Sequence, residues 1–168
     1  IIKVINTPFQ YLRFMNWYNG NYNQQTENSI QALGNGGILG VGFGKSIIKN
    51  GFMPEVHTDF ILPIIGEEIG FIGILTIFSL YLILYFYGVH ICKSAPDIFS
   101  SMLSIGITIN ILFYFLINAS YVVGILPTTG LPIPFISYGG SQLLFSFISI
   151  GLLMNISKYI NIYKYNSL

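Results

Sequence analysis

Three long apolar stretches dominate the second half of the chain, within residues 62–88, 98–126 and 141–159. The middle stretch contains 29 consecutive residues without a charged side chain. Since a membrane-crossing helix needs about 20 apolar residues, each stretch is long enough to span a bilayer. We therefore predict membrane helices at about 62–88, 100–125 and 141–159. The fold class that follows is all-α, a polytopic transmembrane bundle over residues 61–168.

Polar residues interrupt this pattern at identifiable places. Pro63 helps to place the start of the first helix, because proline is tolerated only within the first turn. Asn110 and Asn118 interrupt the second apolar stretch, and we expect them to hydrogen-bond to neighbouring helices. Residues 1–60 are polar, irregular and rich in Asn, Gly, Gln and Tyr, with a loop tip predicted at 18–28. They are predicted to form one large loop outside the membrane.

The glycine-rich segment LGNGGILGVGFGKS, residues 33–46, resembles a phosphate-binding loop only superficially. A P-loop ending in Gly44-Lys45-Ser46 requires glycine where Leu39 stands. The dinucleotide spacing also fails, since its third glycine would fall on Leu39 or Lys45. We therefore interpret the glycines as sites of tight backbone turns and close packing.

The segment PTTGLPIPFISYGGSQ, residues 127–142, contains three prolines and three glycines and cannot be one continuous helix. It is nonetheless uncharged and partly apolar. Non-helical backbone at membrane depth must be covered by protein or line a cavity. We predict a re-entrant or rim loop at 127–140. The hydroxyls of Ser137, Tyr138 and Ser141 either satisfy the interrupted backbone or face a cavity.

Four of the six acidic residues fall within fourteen positions, at the start of the first apolar stretch. They are Glu55, Asp59, Glu67 and Glu68. Carboxylates are costly to bury in a membrane and therefore mark candidate functional sites. The alternative for Asp59 is a solvated helix start, where the helix dipole favours an acidic side chain. The residues alone leave both interpretations open.

Composition restricts the remaining functions. The chain is 53% hydrophobic and 8% charged, with a mean hydropathy of +0.68. A net charge of +1 argues against a nucleic-acid partner, which would require clustered Lys and Arg. The single cysteine, Cys92, and the distant His57 and His90 argue against a zinc site. Because the chain begins at Ile1, we expect a C-terminal portion of a longer membrane protein.

Charges near the ends of the spans indicate an orientation. Lys93, Lys158 and Lys164 lie on one side of the membrane, against Lys45 and Lys49 on the other. The positive-inside rule then favours a cytoplasmic C-terminus. Two crossings separate residue 59 from the segment 127–142, so both are expected on the same, outer side.

Two motifs resemble the family of shape, elongation, division and sporulation proteins, which includes RodA, FtsW and SpoVE. The first motif is GGILGVGFGKS followed by MPEVHTDFILPIIGEEIGFIG, and the second is GILPTTGLPIPFISYGGS. The resemblance implies the last three membrane helices of a ten-helix bundle, preceded by a large extracytoplasmic loop. It also implies a multi-pass protein of the bacterial cytoplasmic (inner) membrane.

The resemblance implies a peptidoglycan glycosyltransferase that polymerises lipid II into undecaprenyl-linked glycan strands, together with a class B penicillin-binding protein. The alternatives are a lipid II flippase and a non-catalytic scaffold for cell division or elongation. The aspartate of the family's HTDF motif, its catalytic carboxylate, corresponds to Asp59. The motifs also carry over to the candidate substrate-binding residues Glu55, His57, Glu68, Ser137, Tyr138 and Ser141.

Glycosyl transfer requires a base for the acceptor hydroxyl and positive charge near the leaving diphosphate. Asp59 is the candidate base. Lys45 and Lys49 are candidates for the positive charge, and a divalent cation, Mg²⁺ or Mn²⁺, is the other option. The identity of any metal is left open by the sequence.

Overall fold

The computed structural model describes residues 8–47 and 58–166, and over these residues the elements of secondary structure are all helices, joined by turns and loops. The described helices are α1 (Pro8–Tyr18), α2 (Gln24–Gly36), α3 (Ile61–Ile69), α4 (Phe71–Ser94), α5 (Ile98–Val122) and α6 (Gly140–Asn166). By length and composition α4, α5 and Gly140–Ile160 of α6 are able to cross a membrane. The predicted all-α class with three membrane helices is thereby confirmed.

The first apolar stretch is divided into two helices, whereas its apolar pattern predicts one helix at about 62–88. The break falls at Gly70, which has a φ of 79° and so adopts a backbone conformation that favours glycine. The nine residues before it form α3, and the crossing helix α4 begins at Phe71 and continues to Ser94. Length and hydropathy do not distinguish an interrupted helix from a continuous one, because α3 is itself apolar.

Residues 8–36 contain two helices in the segment that was expected to be irregular. Pro8 occupies the first position of α1, where its missing N–H costs nothing. Asn23 caps α2, since its Oδ1 accepts from the Thr26 N–H at 3.0 Å and from the Thr26 hydroxyl at 2.6 Å. The predicted turn is shorter than 18–28 and centres on Gly20, which has a φ of 73°.

The glycine-rich segment packs its backbone against the backbone at the end of α3. Val41 N donates to Glu67 O at 2.9 Å, and Gly42 N donates to Glu68 O at 3.0 Å. A Cβ atom on Gly40 would lie 2.2 Å from the Glu68 carbonyl oxygen. The close packing predicted for these glycines is confirmed, and it gives partners to carbonyls that the end of a helix leaves unpaired.

The chain forms two compact units, and the first combines Ile1–Leu75 with Leu116–Leu131. Its hydrophobic core consists of Ala32 from α2, Phe60 and Ile64 at the start of α3, and Tyr121 and Val122 at the end of α5. The rings of Phe60 and Tyr121 meet edge to face, with centroids 5.6 Å apart. Phe60 is thus buried directly beside Asp59, so the core fixes the main chain next to the candidate base.

The second unit combines Thr76–Phe115 with Pro132–Leu168. In it α4 and α5 approach closely at Gly88, where a Cβ atom would lie 2.0 Å from Thr108 Oγ1. Small residues at such crossings allow membrane helices to pack by van der Waals contact. The rings of Tyr81 and Phe115 stack at 4.5 Å, and the Tyr81 hydroxyl donates to the Pro134 carbonyl.

Replacing Gly36 with alanine should destabilise the first unit. The new Cβ would lie 1.9 Å from the Gly66 carbonyl oxygen, and overpacking of this kind costs about 1–3 kcal/mol or more. Gly34→Ala is the matched control, because it lies in the same helix and its Cβ would meet nothing within 4 Å. We expect thermal unfolding of the purified protein to shift down for Gly36→Ala alone. Equal unfolding temperatures would contradict the close packing.

Candidate active site

Asp59 lies immediately before α3, half-buried, in the turn that precedes the buried Phe60. Its Oδ1 accepts a hydrogen bond from the Thr58 hydroxyl at 2.8 Å. The N-cap position of α3 is Phe60, and no side chain caps the helix there. The Asp59 carboxylate therefore does not serve as a helix cap, although it lies at the positive end of the α3 dipole.

The main chain of Asp59 is held by two side chains from the end of α5. Asn118 Nδ2 donates to the carbonyl oxygens of Asp59 and Leu131, each at 2.8 Å. The Tyr121 hydroxyl lies 3.0 Å from each of the same two oxygens. Both side chains are fully buried. Segments 72 positions apart in the sequence are thus tied to one point on α5.

Asn118 and Tyr121 were not among the predicted site residues. We expected Asn118 to bond to a neighbouring helix, but it bonds to main-chain carbonyls of two non-helical segments instead. The sequence signal was an amide within an otherwise apolar span, three residues before a tyrosine. That signal indicates a buried polar pair but not its partners, which depend on the tertiary fold.

The beginning of the proline-rich segment also approaches the Asp59 side chain. A Cβ atom built on Gly130 would lie 3.7 Å from Asp59 Oδ2. Gly130 has a φ of 70°, which suits glycine at this position. The structure therefore brings residues 130 and 131 of the second motif to the candidate base, and Oδ2 is the carboxylate oxygen on that side.

Glu67 and Glu68 are both buried on α3, and they have different surroundings. The Glu67 carboxylate accepts from the Ser46 hydroxyl and, at 3.4 Å, from the Ile47 N–H. It therefore fastens the end of the glycine-rich segment to α3. Glu68 Oε1 is buried and has no hydrogen-bond partner among the described residues. Its predicted role in binding substrate stays a prediction.

The other predicted substrate-binding residues differ in exposure and in hydrogen bonding. Lys45 is exposed within the glycine-rich segment. Ser137 is buried, and its hydroxyl oxygen accepts from the Ile133 N–H at 2.8 Å, so it satisfies the interrupted backbone. Tyr138 is 79% exposed, and Ser141 is exposed in the first turn of α6. Predictions for Lys49, Glu55 and His57 fall outside the described residues.

The described residues contain no preformed cluster of three metal-ligating side chains. Within 8–47 and 58–166, no group of three His, Cys, Asp or Glu side chains is placed to hold an ion. Mg²⁺ is commonly held by one or two carboxylates together with substrate phosphates, and Asp59 is a half-exposed carboxylate of that kind. A divalent cation at this site therefore stays a prediction.

The helices and the carboxylate at the start of α3 define a class: helical, multi-pass membrane proteins with a site built from non-helical segments. Comparison with known proteins then gives the family. A family model described as a cell cycle protein, that of FtsW, RodA and SpoVE, matches residues 1–162. The chain belongs to this family, and the resemblance noted in the two motifs is confirmed.

Relatives include a probable peptidoglycan glycosyltransferase FtsW from Geobacter metallireducens, which is 40% identical over 92% of this chain and 42% of its own length. Stage V sporulation protein E of Bacillus subtilis is 42% identical over 80% of this chain and 37% of its own length. The chain thus spans about two fifths of the length of these curated relatives.

A similar fold occurs in a solved structure described as showing the structural coordination of polymerization and crosslinking by a peptidoglycan synthase complex. The TM-score is 0.71, and the match covers 92% of this chain and 43% of that chain. At 22% identity, the likeness concerns the fold alone.

Replacing Asn118 with leucine should destabilise the first unit while nearly preserving volume. The substitution removes one of the two donors to the Asp59 and Leu131 carbonyls, and each lost hydrogen bond costs about 0.5–1.5 kcal/mol. Asn110→Leu is the control, since Asn110 is exposed in the same helix. The measurement is thermal unfolding in detergent. If both variants unfold at the same temperature, Asn118 does not anchor the site.

Replacing Glu67 with alanine should loosen the glycine-rich segment from α3. The Ser46 hydroxyl and Ile47 N–H lose their acceptor, and we expect a loss of about 1–3 kcal/mol in unfolding free energy. Glu27→Ala, an exposed acidic position on α2, is the control. Limited proteolysis between residues 40 and 47 reports the loosening directly. Unchanged cleavage and stability would argue against the Glu67 contact.

Proposed function

We propose that this chain is the C-terminal part of a peptidoglycan glycosyltransferase that polymerises lipid II, with Asp59 as the catalytic base. The observation that carries the proposal is the placement of Asp59. Its main chain is fixed by Asn118 and Tyr121, while its Oδ2 faces the side-chain-free Gly130. Relatives named as peptidoglycan glycosyltransferases support the same reaction.

In the proposed reaction, the hydroxyl of an acceptor sugar loses its proton to Asp59. The freed oxygen forms a bond to the anomeric carbon of the donor sugar, and the bond from that carbon to the diphosphate oxygen breaks. Polyprenyl diphosphate leaves with the electron pair of the broken bond. Asp59 Oδ1 already accepts from Thr58, so Oδ2 is the oxygen assigned to the proton.

Negative charge builds up on the departing diphosphate, and cationic side chains would stabilise it. Lys45 supports this role because it is exposed on the glycine-rich segment, whose backbone is tied to α3 through Glu67 and Glu68. Lys49 is the second candidate by sequence. The apolar surfaces of α4–α6 suit a membrane environment. A class B penicillin-binding protein is the proposed partner.

Asp59→Asn in the full-length protein should abolish most lipid II polymerisation. The amide keeps the shape of the side chain and removes the base, and general base catalysis contributes about 10²–10⁴-fold. The measurement is the rate of glycan formation by purified protein with its partner. We expect binding of the partner to be unchanged.

Asp97→Asn is the matched control. Asp97 is exposed and caps α5 by accepting from the Ser100 N–H and hydroxyl, each at 2.8 Å. Those hydrogen bonds hold the pKa of Asp97 below its ordinary value, and asparagine caps helices equally well. Full polymerisation by Asp59→Asn would overturn the proposal. A flippase would be indicated if the wild type made no polymer and Asp59→Asn still moved labelled lipid II across vesicle membranes.

A further inference from the structure

A shallow groove lined by both polar and apolar side chains lies in the first unit, where α1 and the turn before α2 meet the residues that follow α5. We call it the amide groove, and its lining includes Asn16, Trp17, Asn21, Tyr22, Asn23 and Thr128. None of its lining side chains is acidic, and Arg13 is its charged member. Neither the candidate base nor any predicted substrate-binding residue lies in it.

The aromatic side of the amide groove is fixed in place. The Trp17 indole N–H donates to the Gly124 carbonyl at 2.9 Å. The Tyr22 ring lies over Gly124, where a Cβ atom would come 3.2 Å from Tyr22 Cε1. Tyr22 is nevertheless 38% exposed. One ring is therefore held by a hydrogen bond and a second packs on Gly124 beside it, so less side-chain entropy is lost when a ligand packs on them.

The polar side of the amide groove leaves hydrogen-bonding groups for a ligand. Asn23 is occupied, since its Oδ1 caps α2 and its Nδ2 donates to Thr128 Oγ1 at 3.4 Å. Thr128 keeps its own O–H to donate. Asn16 and Asn21 are exposed, and their positions are linked by a backbone bond from Asn21 N to Asn16 O at 2.8 Å. Each carries two amide donors and one carbonyl acceptor.

This combination matches the chemistry of a saccharide. Sugar hydroxyl and acetamido groups need both donors and acceptors, which asparagine amides supply together. The C–H faces of a sugar ring are apolar and pack on aromatic rings, whose faces carry partial negative charge. The absence of acidic side chains among the lining residues allows the saccharide to carry carboxylates as well.

The amide groove is also close to Asp59 in space, through the residues that link Thr128 to Gly130. Thr128 precedes Gly130 by two residues, so their Cα atoms are at most about 7.6 Å apart. Gly130 in turn lies beside Asp59 Oδ2. A polymer whose reacting sugar is at Asp59 would therefore reach the amide groove with a neighbouring unit.

We propose that the amide groove is a saccharide subsite that binds the glycan strand next to the reacting sugar. The identity of the ligand as a glycan strand rests on the proposed function. The match between the groove's side chains and a saccharide does not depend on it. A subsite of this kind retains the strand between additions, so it determines the length of the glycan product more than the rate of each transfer.

The test is saccharide binding by the full-length protein in nanodiscs, with a soluble chito-oligosaccharide as the probe and titration calorimetry as the readout. We expect the double variant Asn16→Ala, Asn21→Ala to bind about tenfold more weakly, since two hydrogen-bonding side chains are removed. Gln31→Ala is the control, because it removes an exposed amide of α2 that does not line the amide groove. Equal unfolding temperatures for all three proteins establish that folding is preserved.

The second readout is the length of glycan made from lipid II, which should shorten in the double variant and not in Gln31→Ala. Asp59→Asn separates the two proposals, since it should bind the oligosaccharide normally while making no polymer. The subsite proposal is overturned if the wild type does not bind the saccharide, or if the double variant binds it as tightly as the wild type does. Loss of partner binding with unchanged saccharide binding would instead identify the amide groove as a protein interface and also overturn it.

Discussion

The site depends on a buried hydrogen-bonded pair at the end of α5. Asn118 and Tyr121 are fully buried, and they bond to the carbonyls of Asp59 and Leu131. Carbonyls in non-helical segments need donors when they are removed from water, because an unpaired buried polar group is destabilising. Two side chains on one helical face supply those donors together. The segment before α3 and the segment after α5 therefore meet at a fixed point, and Asp59 is located by its backbone.

A second constraint acts through glycine. The glycine-rich segment approaches α3 so closely that a Cβ on Gly40 would overlap the Glu68 carbonyl. This approach lets Val41 and Gly42 donate to the last carbonyls of α3, and it accompanies the break at Gly70. The short helix α3 is thus held at both of its ends, by the Phe60–Tyr121 core contact and by these backbone bonds. Lys45 follows directly on the segment that makes them.

Much of this arrangement could be predicted from sequence. The predictions that were wrong or missing failed for identifiable physical reasons. Uncharged length predicts α5 and the membrane-crossing part of α6, because crossing a bilayer imposes that length whatever the partners are, but α6 continues past the predicted end at 159 to Asn166. The break at Gly70 was missed, since its cause is a backbone contact with residues about thirty positions earlier. The α2 helix was missed because Asn23 acts as a cap within a segment whose composition resembles a loop. Asp59 was chosen as the candidate base from its motif, and the side chains that hold its main chain were not predicted, because hydrogen-bond partners of a buried amide depend on tertiary structure.

Asp59 and Glu67 show how carboxylates on one short segment are put to different uses. The Glu67 carboxylate is fully buried and accepts from Ser46 and Ile47, so its charge serves the packing of the glycine-rich segment. The structural bonds from α5 to Asp59 go to its carbonyl oxygen instead. Its carboxylate is thereby located without being enclosed, with Oδ2 facing a residue that has no side chain. That combination supports the proposal of Asp59 as a base, since a base must be held within hydrogen-bonding reach of a hydroxyl while keeping a lone pair to accept the proton.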